Sequence, residues 1–171
     1  MNLSEQLMAE NSRRNTDYIA QHIGNNPDLF RDLINVLFGK KPSLSNHASW
    51  VVTAITDLHP EQLKPYLKKI IDRIEKFDHT GIHRSLLRSL AKMNIPEALQ
   101  GKLFDICYRW LQSRVEPPAV KVHCMQILFN LSENEPDLRK EIKLIIEELT
   151  DHESAAIKSR SRQLMKKMGG K

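Results

Sequence analysis

A chain of 171 residues with 40% hydrophobic and 27% charged residues is long enough to bury one domain core and suits a soluble protein. No apolar run approaches the ~18 residues that a membrane span needs, and the cluster Leu144-Ile145-Ile146 stops at Glu147 and Glu148, so no membrane partner is expected. Two cysteines, Cys107 and Cys124, do not make a disulfide framework, and no basic-then-apolar leader is visible, which predicts a cytoplasmic protein.

In chain order, residues 4–23 carry Tyr18, Ile19 and Ile23 at helical spacing and read as the second helix of an incomplete leading pair, a cap. Four proline–acid dipeptides follow: Pro27-Asp28, Pro60-Glu61, Pro96-Glu97 and Pro136-Asp137. Proline suits the first turn of a helix, where its missing N–H has no partner to lose, and an acid there complements the helix dipole. Each dipeptide therefore predicts a helix start, at intervals of 33, 36 and 40 residues.

Apolar residues after these starts fall into columns at i, i+4, i+7 and i+8. They are Leu29, Leu33, Val36 and Leu37; Leu63, Leu67, Ile70 and Ile71; Leu99, Leu103, Ile106 and Cys107; Leu138, Ile142, Ile145 and Ile146. Breakers come next (Gly39 with Pro42, Gly81, Pro117-Pro118), then a second helix with its own stripe. Its columns run through His47, Ile82, Val120 and Ile157 to Leu58, Met93, Leu131 and Met168. One helix pair cannot hide both stripes, so neighbouring pairs must stack.

Two local patterns carry a family resemblance. Leu63-x-Pro65-x-Leu67-x-x-Ile70-Ile71 resembles the first helix of a HEAT repeat. Ile82-His83, Val120-Lys121 and Ile157-Lys158 are similar to the Val-Arg step of the second, from which His47-Ala48 departs. The resemblance implies an all-α, right-handed α-α superhelix of about four pairs (27–58, 60–93, 96–131, 136–168) behind the cap. It would form a single domain over 1–171 with a flexible basic tail at 169–171.

It also implies that the second helices line a concave face, their sides opposite the apolar stripe left open. Ser49, Thr53, Thr56 and Val122 fall on that open side. The candidate binding residues there are Trp50, Arg84, Arg88, Lys92, Lys121, Gln126, Phe129, Lys158, Arg160, Gln163 and Lys166.

Charge is uneven along the chain. Residues 1–59 hold 5 Lys+Arg against 6 Asp+Glu, residues 60–171 hold 21 against 15, and residues 152–171 alone hold 6 against 1. Such a skew fits an anionic partner or the solvated face of a terminal helix.

No catalytic constellation emerges. His79 and His83 with Asp78 have a metal-like spacing, but Gly81 lies between them, no further ligand follows, and helix-start polar residues account for them. His123 and Cys124 are adjacent, so on a helix they point about 100° apart and cannot form a nucleophile–base pair. Phosphate loops, Gly-x-Ser-x-Gly and His-Glu-x-x-His are absent from the sequence.

HEAT-like DNA glycosylases of the alkylation-repair type set a carboxylate among aromatics in a basic groove. Here Trp110 falls in a core column, and Asp57 lies two turns from Trp50. The expectation is a non-catalytic scaffold for a protein or peptide partner, without cofactor or metal. The alternative is a nucleic-acid-binding protein with a basic groove, and behind it such a glycosylase.

Overall fold

The computed structural model describes residues 2–152 and 154–169. Those residues form ten α-helices and three short 3-10 segments, with no strand among them. Gly170 and Lys171 of the expected tail lie outside the described residues. Gly169 sits in a turn with φ +75°, a left-handed conformation that glycine adopts without strain. Two compact units emerge, Met1–Met93 and Asn94–Lys171.

The first unit holds α1 (Leu3–Ala9), α2 (Arg13–Ile23), α3 (Pro27–Leu37), α4 (Pro42–Leu58), α5 (Leu67–Arg73) and α6 (Thr80–Leu90). Side-chain caps set four of the starts, and at α1 Asn2 accepts from the Glu5 N–H. Ser12 accepts from the Asn15 N–H, Asn26 from those of Asp28 and Leu29, and His79 from that of Gly81. Gly81, expected in a loop, therefore lies in the first turn of α6. Pro27 and Pro42 occupy the first turns of α3 and α4. Pro60 opens a 3-10 segment, Pro60–Tyr66, with Pro65 inside it, and the regular helix α5 begins only at Leu67.

α4 is the centre of this unit, packing on α1, α2, α3 and α6. The α3 stripe turns out to be Phe30, Leu33, Ile34 and Leu37, all at most 1% exposed, whereas Leu29 and Val36 are half-buried. Removing such a side chain from water contributes about 1.5–3 kcal/mol each. Leu58, assigned to an apolar column, is 71% exposed at the last turn of α4, and Tyr18 on α2 is exposed too.

The expectation for the other side of α4 needs correction. Ser49, Thr53 and Thr56 are buried, not open. With neighbours on several sides, α4 meets α6 through small hydroxyl residues that satisfy backbone carbonyls. Thr53 Oγ1 donates to the Ser49 carbonyl at 2.9 Å and lies 3.1 Å from the Ser85 carbonyl; Thr56 donates to that of Val52 at 2.7 Å; Ser89 donates to Thr53 Oγ1 at 3.3 Å.

The second unit holds α7 (Glu97–Gln112), α8 (Pro118–Leu131), α9 (Pro136–Glu148) and α10 (Ala155–Lys167), with α8 packed on the other three. Its buried side chains include Leu103, Ile106, Trp110, Ile127, Leu128, Ile142, Ile146, Ile157 and Leu164. Cys107 and Cys124 are free and buried. Burial, then the hydrogen bond and the charge of Cys124, push the Cys107 thiol well above its ordinary range.

Phe129, expected on the open side of α8, is buried. Arg139 of α9 lays its guanidinium 3.8 Å from the ring centroid and donates to the Phe129 carbonyl at 2.7 Å.

Candidate binding site

Within the first unit, α2, α4 and α6 border a cavity of about 350 Å³. α4 supplies Trp50, Thr53, Ala54 and Asp57, which recur at helical spacing and so share a side. α6 supplies Arg84, Ser85 and Arg88, with the two arginines one turn apart. α2 supplies Arg13 and Thr16.

Two carboxylates tether the cations. Arg88 Nη2 donates to Asp57 Oδ2 at 2.8 Å, and Lys92 donates to the other oxygen. Burial alone would raise the Asp57 carboxyl, but hydrogen bonds from Lys92 and Arg88, with their charges, outweigh it and hold the group below its ordinary 3.8. Arg13 Nε reaches both oxygens of Asp17, at 2.9 and 3.0 Å. Arg84 is exposed and has no acidic partner among the described residues.

Trp50 is half-buried, its ring 5.0 Å from that of His47, whose Nδ1 lies 2.7 Å from the Leu7 carbonyl. The Trp50 indole N–H is buried and meets no acceptor among the described residues.

Four of the sequence-derived candidates, Trp50, Arg84, Arg88 and Lys92, are thus gathered at or beside this cavity. Asp57 belongs with them, contrary to the expectation that no carboxylate joins Trp50. Their separation of seven residues is two turns, hence the same side of α4. Arg13 and Thr16 were missed because α2 was read as a cap alone; an Arg followed four residues later by Asp17 was the signal at hand.

The second-unit candidates do not converge on one cavity. Lys158, Gln163 and Lys166 line an open cleft of about 860 Å³ beside Glu147, Asp151 and Arg162. Lys121 borders another, of about 360 Å³, with Glu116 and His152. Arg160 donates to Gln126 at 2.7 Å, joining α10 to α8, and Gln126 donates to Asn130 at 2.9 Å. Phe129 is covered, as described.

Among the described residues no group of three or more His, Cys, Asp or Glu could hold a metal ion. His79 caps α6, and His83 Nε2 lies 2.7 Å from the Phe77 carbonyl, so both imidazoles have local work. No described helix is long and apolar enough to cross a membrane.

Comparison with known proteins agrees with this architecture. The AP-3 complex subunit delta of Eremothecium gossypii is 28% identical over 130 residues, which cover 75% of this chain and 14% of that protein. No solved structure matches. The HEAT repeat domain family matches residues 3–168, and the protein belongs to that family.

Proposed function

We propose that the chain is a non-catalytic binding module that holds a protein partner on the face formed by α2, α4 and α6. The carrying observation is the cavity where Trp50, Arg84 and Arg88 converge, a mixture of aromatic and guanidinium groups typical of protein contact sites. Similarity to a subunit of the AP-3 complex supports an assembly role, and the free thiols of Cys107 and Cys124 support a reducing, cytoplasmic setting. Asp57, clamped by Arg88 and Lys92, is better suited to fixing those cations than to moving protons.

The test is affinity capture from the native source with the wild-type chain and with Arg84→Glu. A specific partner should be held by the first and lost by the second while the thermal melt is unchanged. Equal recovery of that partner with both chains refutes the reading.

A second reading, a nucleic-acid ligand, draws on Lys158, Arg162 and Lys166 of α10 around the open cleft. The acids Glu147 and Asp151 share that cleft and weaken it.

A further inference from the structure

We propose that the cavity bordered by α2, α4 and α6 receives a single phosphomonoester, the phosphorylated serine or threonine of a partner peptide. This rests on the binding-module reading and names the chemistry of its site.

Charge is the first ground. Arg13, Arg84 and Arg88 line the cavity with one carboxylate, Asp57, and their ion-pair partners outside the lining, Lys92 and Asp17, cancel, so two positive charges stay unbalanced. A phosphorylated side chain carries about −1.5 to −2 at neutral pH and matches that excess, whereas a carboxylate leaves half of it.

Donor geometry is the second. Guanidinium forks bind phosphate oxygens in pairs, and Arg84, free of any acidic partner among the described residues, stands one turn from Arg88 on α6. Arg88 has one nitrogen on Asp57 and further N–H groups to give. The hydroxyls of Thr16 and Thr53 already donate to backbone carbonyls, so the charged donors on the lining are Arg13, Arg84 and Arg88, beside Ser85 and the Trp50 indole N–H.

Shape is the third. Arg13, Arg84 and Arg88 line one cavity of about 350 Å³ edged by Trp50, room for one charged side chain and its apolar neighbour. A nucleic-acid backbone would need cations along a track, and its phosphates carry a single charge each.

The full chain is titrated by fluorescence polarisation into three labelled degenerate peptide pools, alike except for a central phosphoserine, glutamate or serine. Phosphoserine should bind, glutamate about tenfold more weakly, and serine not measurably. Arg84→Ala should weaken phosphopeptide binding by about tenfold, and Arg84→Lys should recover only part of it, because the lysine ammonium is a point charge. The Arg84→Ala melt should match wild type, since the side chain is exposed and unpaired.

Equal binding of the phosphoserine and serine pools overturns the proposal, as does indifference to Arg84→Ala. Arg84-dependent binding of a single-stranded oligonucleotide, or of phosphoinositide vesicles, with no peptide binding also overturns it. A captured partner that needs Arg84 yet survives phosphatase treatment removes the phosphate while leaving the protein-binding reading intact.

Discussion

Asp57 shows how one side chain links stability to pH. Its carboxyl is held below 3.8 in the fold, so the stabilisation from Arg88 and Lys92 is complete above that value and disappears as pH falls through the folded one. Asp57→Asn should therefore melt below wild type at pH 7, with the gap closing as pH drops under 3.8. A gap that stays constant down to pH 2 contradicts the ion-pair assignment.

The cysteines make the opposite case. Cys107 and Cys124 are buried, and burial raises the Cys107 thiol, so the reactive thiolate is scarce and shielded. Alkylation should be negligible in the native chain and complete in denaturant; rapid native labelling would contradict that burial.

Helices turned out to be easier to read than the sides they bury. The Pro27-Asp28 and Pro136-Asp137 starts are local chemistry and sit in the first turns of α3 and α9. The polar side of α4 reads as open in the sequence because it lies opposite the apolar stripe of that helix. Here they lie at a helix contact, where short side chains let α4 and α6 approach and a carbonyl one turn back takes each hydroxyl hydrogen, Asn46 for Ser49, Ser49 for Thr53 and Val52 for Thr56. No periodicity rule reveals that without knowing which helices meet.

Phe129 was misread for a similar reason, since its cover is Arg139, ten residues on and in the next helix. Phe129→Ala should consequently act on stability, costing about 3–5 kcal/mol as a cavity-forming change. The check is a denaturant or thermal melt; a melt equal to wild type would return Phe129 to the surface.

For the whole molecule, fold class was legible because a repeated stripe leaves the same mark in every repeat, and the HEAT family match over residues 3–168 agrees. The candidate cavity was only half legible. Arg84, Arg88 and Trp50 were visible as residues, but their meeting with Arg13 and Asp57 depends on three helices separated in sequence. The chain spans 14% of the length of the AP-3 delta relative.

Net charge offers a molecule-wide test. With +5 spread over interleaved signs, ligand binding should lose affinity with salt at a slope near one or two charges, far from the slope of a protein gripping about six to ten phosphates. A steep slope would favour the nucleic-acid reading.

Tryptophan placement has a practical corollary. The chain has two, Trp110 shut away at 7% exposure and Trp50 at the cavity edge. Replacing Trp110 with phenylalanine would leave Trp50 as the single tryptophan, which can be excited apart from the three tyrosines and whose emission wavelength should report occupancy in real time without any dye attached.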